Sequence, residues 1–281
     1  MGKRLAQRVG LRVGLVLAVV FAVGPLWSMG YMAFDESITA FPKGFRIWPE
    51  DFGFSLFVEI WEAPMAWAPS FLRVLGTTFM VAGTAAVVAV VVGASMAYAF
   101  AKLRFPGRSG GLFVVLLGAL LPPVALLTPL FVLLRDFGVE SSNIGLIIVY
   151  TGFTLPLAVW IMRSSFVTVP RDLSEAAYLD GANEFQVFRK VALPLALPTI
   201  SVAALLSFLV GYSEFAMGWL IVQSNSDATL AMVAWAALFE NAPWGRVAAL
   251  AILMSLPVVG VFLMLHRVLI HGWSFGTISS D

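Results

Sequence analysis

Cysteine is absent from the 281 residues and histidine occurs twice. That excludes disulfides, thiolate metal sites and cysteine nucleophiles. Charge is scarce as well: 12% of the chain is Asp, Glu, Lys or Arg, whereas an ordinary soluble domain carries about 25%. The net charge of +1 offers a nucleic acid nothing to hold. No Gly-x-x-x-x-Gly-Lys-Ser/Thr phosphate loop occurs, so the chain does not hydrolyse ATP by the P-loop route. His-Glu-x-x-His and paired intramembrane carboxylates are also missing, which leaves an intramembrane enzyme without reactive groups.

What the chain has instead is apolar length. It is 60% hydrophobic, against about 45–50% in soluble domains. Runs free of Asp, Glu, Lys and Arg extend from Val13 to Phe34, Val74 to Ala101, Ser109 to Leu134, Ser141 to Met162, Val191 to Ser213 and Val247 to Leu265. Crossing hydrocarbon takes about 20 residues, so these runs predict an all-α, polytopic membrane protein with six transmembrane helices. Between Phe52 and Phe71 a weaker candidate is interrupted by Glu59, Glu62, Pro64 and Pro69; it reads as an exposed loop with an interfacial helix. The first span has a basic start like a signal peptide, but its length and the lack of an Ala-x-Ala-like site make it a retained anchor.

Positive flanks stay cytoplasmic. With the N-terminus inside, Lys3, Arg4, Arg8, Arg12, Lys102, Arg104, Arg108, Arg163, Arg171, Arg189, Lys190 and Arg267 fall on one side, which is twelve of the 17 basic residues. Lys43, Arg46, Arg73, Arg135 and Arg246 fall on the other, together with most of the acids. Both termini are then cytoplasmic. Residues 1–70 hold the first helix and a long extracytoplasmic loop, 71–270 the core with a cytoplasmic loop at 170–194, and 271–281 a cytoplasmic tail.

Two features interrupt the spans. Leu121-Pro122-Pro123 and Thr128-Pro129 remove backbone donors from the third, and either bend a packed helix or shape one that lines a pathway. In the fifth, Tyr212 and Ser213 precede Glu214, read as the only carboxylate inside a span although the uncharged run itself stops at Ser213. Intramembrane ionisable groups face the bundle or a wet cavity, so these three residues are candidates for the translocation path or gate; the alternative is a hydrogen bond that serves packing.

The segment from Arg163 to Lys190 reads as two short helices and a turn. Asp172-Leu173-Ser174-Glu175 has the Asp-x-x-Glu form of a capping box, Ala176, Ala177 and Leu179 continue the helix, and Gly181 permits a sharp turn. Asn183 with Gln186 restarts a helix in the same way, with Phe185 and Phe188 on one face and Arg189 and Lys190 at its end, where cations suit the dipole. By periodicity alone this is either a docking knob or an interfacial segment without a protein partner.

Glu175-Ala176-Ala177, three residues, Gly181, nine residues, Val191, one residue and Leu193-Pro194 together resemble the EAA loop of ABC-importer permeases. Thr77-Thr78, Ala97-Tyr98-Ala99-Phe100, Phe105-Pro106-Gly107, Leu121-Pro122, Pro129-Leu130-Phe131, Pro156 and Gly272 to Gly276 are similar to the maltose-type, MalG-like carbohydrate branch. Tyr212-Ser213-Glu214-Phe215 departs from the Trp-Asn form common there, and the tail Thr277 to Asp281 lacks the usual Lys-Gly ending. The resemblance implies a type I importer (MetI-like) transmembrane domain. It further implies a second permease subunit, a cytoplasmic ABC ATPase dimer that consumes ATP and Mg, an extracytoplasmic solute-binding protein, and a sugar or oligosaccharide as cargo. Glu175, Ala176, Ala177, Leu179, Asp180, Gly181, Leu193 and Pro194 would form the ATPase-coupling contact. A secondary carrier would need coupling-ion sites and internal repeats, which are not evident. His266 and His271, five apart, do not share a helix face and read as boundary residues; Trp27, Trp219, Trp235, Trp244 and Trp273 read as an interfacial belt.

Overall fold

The computed structural model describes residues 2–38, 44, 46–222, 224–240 and 242–273, with side chains between 7 and 266. The expected tail from 274 onward, and the side chains of Lys3, Arg4, Lys43, Arg267, His271 and Trp273, lie outside the described residues. In chain order the helices are α1 Gly2–Ala33, α2 Ser55–Glu62, α3 Phe71–Lys102, α4 Arg108–Gly118, α5 Pro123–Asp136, α6 Asn143–Thr168, α7 Arg171–Leu179, α8 Glu184–Val187, α9 Leu193–Ser213, α10 Ala216–Ile221, α11 Leu230–Phe239 and α12 Trp244–Trp273. No strand occurs among the described residues, and only an isolated bridge pairs Asp35 with Phe52.

Five helices are long and apolar enough to cross a membrane, and six spans result if α4 and α5 count as one. These two are bent by 99° across residues 119–122. The third expected span is therefore not a single kinked helix. Pro122 and Pro123 remove two consecutive donors and push their predecessors out of the α region; Pro122 is extended at ψ 123° and Pro123 opens α5. Pro129, a single missing donor, sits inside α5 without ending it.

The chain divides into two compact units, the first comprising Met1–Phe71 and Ala234–Leu256. Within it, no residue in the apolar window of α1 is buried. The segment after α1 is organised by Asp35, which is fully buried. Its carboxylate accepts from the Ser37 amide (3.1 Å) and hydroxyl (2.6 Å) and from the amides of Glu50 (3.0 Å) and Asp51 (3.4 Å), with Arg46 at 3.7 Å. Phe34 and Phe52 stack beside it at 5.5 Å, with Phe54 edge-on. The segment 52–71, expected as a loop with a short helix, contains α2; Arg246 reaches Glu59 at 3.3 Å and the Ala63 carbonyl at 2.8 Å.

The second unit, Leu72–Val233 and Pro257–Asp281, contains α3, α6 and α9 packed on one another. Lipid tails are as apolar as side chains, so helices associate there through close packing of small residues. Ala82, Ala85, Ala89 and Ala97 of α3, Ala158 of α6, and Ala196 and Ala203 of α9 are buried. At Gly211 a Cβ would lie 3.3 Å from the Ala82 Cα, so only glycine allows that approach without backbone movement. The stretch after Asp227, outside the six long apolar runs, forms α11, of which Leu230, Met232, Val233, Ala236 and Ala237 are buried. Ten uncharged residues rise about 15 Å, half the hydrocarbon thickness, so this apolar run folds back instead of crossing. Thr78 of α3 starts it, accepting from the Leu230 amide at 2.8 Å while donating to Val74 at 2.7 Å.

Burial alone would raise the Asp35 pKa, but the hydrogen bonds from Ser37, Glu50 and Asp51 outweigh it and hold the carboxyl below its usual 3.8. A depressed carboxylate stabilises fully above its ordinary value and loses that contribution as pH falls through the lowered one. Hydrogen-exchange protection factors at Ser37, Glu50 and Asp51 should therefore hold down to about pH 4 and fall below it, whereas an Asp35→Ala variant, leaving donors unpaired at about 1–3 kcal/mol each, should show low protection at every pH.

Candidate functional site: the loop between α6 and α9

Val169, forced to ψ 123° by the following proline, ends α6, and Lys102 of α3 donates to its carbonyl at 2.6 Å. Pro170 occupies the N-cap of α7 with no side-chain cap bond. The capping box expected at Asp172 and Glu175 is consequently absent: Asp172 lies inside the first turn, where its charge faces the positive end of the helix. Glu175 is left exposed, with no hydrogen bond or ion pair among the described residues.

Gly181 turns the chain as expected, at φ 84°. The Ala182 amide bonds the Ala177 carbonyl at 2.9 Å and the Gly181 amide bonds Tyr178 at 3.0 Å, the paired closure of a Schellman motif. Any residue with a Cβ is strained in that conformation by about 1–2 kcal/mol. The second capping box is present: Asn183 accepts from the Gln186 amide at 2.9 Å and Gln186 from the Asn183 amide at 2.8 Å.

Beyond this point the structure departs from the expected free-standing second helix. A π turn over Phe188–Ala192, with the Leu193 amide bonded to Phe188, joins α8 to α9, and Glu184–Ser213 runs as one 30-residue apolar rod. Arg189 and Lys190 thus do not stand at a helix end, and the dipole account of them fails. Nor do Phe185 and Phe188 share surroundings: Phe185 is exposed, whereas the Phe188 ring packs 4.9 Å from Tyr98 and 6.2 Å from Phe166.

The knob is tied down on one side and bare on the other. The Tyr98 hydroxyl donates to Glu184 at 3.2 Å, and Val187 and Ala192 are buried. Burial, then the bond to Glu184, pushes the Tyr178 hydroxyl above its usual range, so it remains a protonated donor. Facing away, Leu179 is 90% exposed, Ala176, Asp180 and Gly181 are exposed, and Ala177 is half-buried. Leu193 is half-buried and Pro194 exposed in the first turn of α9. The loop holds no nucleophile or base in a reactive arrangement; it presents a small-residue surface on a stiff mount.

Glu214 is not inside a helix. It ends α9 in an extended conformation at ψ 127°, and its carboxylate accepts from the Met217 amide at 3.1–3.2 Å, capping α10. Its own carbonyl accepts from the Tyr150 hydroxyl at 3.2 Å. Ser213 is exposed and bonds back to Leu209, whereas Tyr212 is buried against Phe79 and Phe208. Of the three candidates, then, Ser213 and Glu214 are accessible and Tyr212 shapes the wall behind them. Thr78 and Tyr150, which fix α11 and the break at Glu214, were not singled out by chemistry in the sequence; a hydroxyl inside an apolar run was the only signal.

A family model described as "binding-protein-dependent transport system inner membrane component" matches residues 89–271, which contain the whole loop. The chain belongs to that family. The trehalose transport system permease protein SugB of Mycobacterium tuberculosis (strain CDC 1551 / Oshkosh) is 36% identical over 196 residues, 68% of this chain and 71% of that protein. The maltose/maltodextrin transport system permease protein MalG of Escherichia coli (strain K12) is 36% identical over 209 residues, 72% and 70%. In Thermococcus litoralis a trehalose/maltose permease protein aligns over the full length of both chains at 26% identity. Among solved structures, a chain of a bacterial ABC transporter that imports alginate superposes with a TM-score of 0.73 at 22% identity, covering 93% of this chain and 97% of that one. A chain of the MetNI methionine transporter gives a TM-score of 0.60 at 22% identity, covering 75% of this chain and 98% of that one. The fold of this binding-protein-dependent permease is thus that of an ABC-importer transmembrane subunit.

Because Glu214 caps α10, Glu214→Ala should lower stability by about 0.5–2 kcal/mol in a thermal-shift measurement of the assembled transporter. Glu214→Gln retains an acceptor and should melt near wild type; if it also transports at the wild-type rate, its charge has no part in the pathway.

Proposed function

We propose that this permease forms half of the translocation pathway of an ATP-driven importer for a sugar or oligosaccharide, coupled to its ATPase through the loop around Gly181. The observation that carries the coupling is the exposed face of Glu175, Ala176 and Leu179, held at a fixed angle by the Gly181 turn and by Tyr98 on Glu184. A surface this bare and this rigid suits insertion into a groove of a partner. The partners in this reading are a second permease subunit, a cytoplasmic ABC ATPase dimer that binds and hydrolyses ATP with Mg, and an extracytoplasmic solute-binding protein; membrane lipid surrounds the spans.

The excess of Lys and Arg on the loop's side of the spans supports a cytoplasmic position for α7 and both termini, with the segment at 35–70 on the binding protein's side in this reading. The protein itself carries no ATPase function; it converts closure of the ATPase dimer into movement of its helices. Ser213 and Glu214, at the broken end of α9, are proposed to line the path or gate, with Tyr212 supporting them. The sugar assignment is supported by the trehalose and maltose permeases among its relatives.

Gly181→Pro, which forbids φ 84° and removes the amide bonded to Tyr178, should reduce ATP-coupled uptake in proteoliposomes to background, and Glu175→Lys should do the same by reversing the charge on the docking face. Undiminished uptake with the ATPase subunits still bound would refute the coupling role. Cargo is a separate measurement: mass spectrometry of the binding protein isolated with this transporter should find a saccharide, and an amino acid or inorganic anion in its place would overturn the sugar assignment alone.

A further inference from the structure

A cavity of about 910 Å³ lies beside the coupling knob, between the ends of α3 and α6 and one flank of α7, and exposed Glu175 borders both this cavity and the coupling face. Five cations line it: Lys102, Arg104, Arg108, Arg163 and Arg171. Two carboxylates, Glu175 and Glu184, oppose them, and Glu184 is already engaged by Tyr98 and Tyr178.

Two of the cations have structural employment. Lys102 holds the Val169 carbonyl, and the Arg108 guanidinium closes α3 by donating to Phe100 (2.8 Å), Ala101 (3.1 Å) and Leu103 (3.3 Å). Arg104, Arg163 and Arg171 make no hydrogen bond or ion pair among the described residues, and the Arg163 Nε is buried without an acceptor. The buried Arg163 Nε–H calls for an oxygen acceptor, and with Arg104 and Arg171 exposed beside it and Glu175 the one carboxylate of the lining without a partner, the cavity keeps an excess of positive charge that suits an anion. Guanidinium forks match the oxygens of phosphate in pairs. The same cavity carries exposed apolar surface at Phe105, 40% accessible, and Val167, 51% accessible, which suits an acyl chain better than a soluble anion. Basic pockets between spans on the cytoplasmic side are where anionic headgroups collect.

We propose that this cavity is a phosphate site filled by the headgroup of an anionic phospholipid of the cytoplasmic leaflet. The inference rests on the charge-based orientation and not on the cargo. Since Arg171, Ser174, Glu175 and Tyr178 of α7 form one wall, the bound headgroup braces the coupling helix against the ends of α3 and α6. Free inorganic phosphate shares the recognising chemistry and is the other source to separate.

The test uses the whole transporter, purified with its second permease and ATPase subunits, delipidated in detergent and incubated with phosphatidylglycerol, cardiolipin or phosphatidylcholine before native mass spectrometry; radiolabelled inorganic phosphate is measured in parallel by equilibrium dialysis. Wild type should retain phosphatidylglycerol or cardiolipin and not phosphatidylcholine, with occupancy at least tenfold lower in Arg104→Gln/Arg163→Gln. The single variant Arg104→Gln, at an exposed position, should show part of that loss if Arg163→Gln impairs folding, and Arg163→Lys should recover part of it. Radiolabelled phosphate bound by wild type and lost in the double variant, without lipid retention, supports the phosphate site with a soluble source. Equal lipid retention in wild type and double variant with no phosphate bound overturns the proposal. So does dissociation of the ATPase subunits from the double variant with its lipid unchanged, which would assign the guanidiniums to partner carboxylates. Because the readout is a count of bound ligand, failure here leaves the importer assignment standing, and failure of uptake leaves this measurement intact.

Discussion

Inside hydrocarbon no water is present to satisfy a backbone amide or carbonyl, and every interruption of a helix must be closed by the protein itself. This chain interrupts its helices where its function needs shape, and each interruption carries its own closure. At the bend of α4 and α5 the Pro122 carbonyl accepts from the Ala125 amide at 3.0 Å. At the entry to α9 a π turn keeps the Leu193 amide paired. At Glu214 the side chain caps α10 while Tyr150 takes the carbonyl. The breaks are therefore built angles with fixed partners, and two of the partners, Tyr150 and Thr78, come from distant spans. Small residues on α3, α6 and α9 bring those spans close enough for the hydroxyls to reach.

Much of this was legible in residue order, and the division between what was and was not has a physical basis. Span count and positions depend on hydrophobic run length, which the sequence displays directly. Turn chemistry is local, so Gly181 and the Asn183–Gln186 box were readable from a few neighbours. The Asp172–Glu175 box failed because the N-cap is Pro170, two residues earlier than the capping pattern alone suggests. Whether Arg189 and Lys190 end a helix depends on the π turn over Phe188–Ala192, where Phe188 packs on Tyr98 of a span distant in sequence. Helix α11 was not foreseen, because a ten-residue apolar run is ambiguous until Thr78, 152 residues away, is known to accept its first amide. The candidate path residues divided for the same reason: burial of Tyr212 and exposure of Ser213 depend on Phe79 and Phe208 across the bundle.

The continuous rod from Glu184 to Ser213 joins two features that looked separate. At 1.5 Å per residue its 30 residues span about 45 Å, with the coupling knob folded onto one end and the break at Glu214 on the other. A flexible linker after the knob would dissipate a push as bending. Here the Gly181 turn has both Schellman bonds, the Asn183 box closes the next helix start, and the π turn leaves no gap before α9. Displacement of α7 must then either move the whole rod or break the contacts of Tyr98 with Glu184 and Phe188. Rigid transmission is the cheaper response, because the tether and aromatic packing have to be lost together while the rod slides along alanine and glycine surfaces that offer few interlocking side chains. The far end of that rod is the capped break at Glu214, so the residues proposed to line the pathway sit on the same element that the ATPase is proposed to grip.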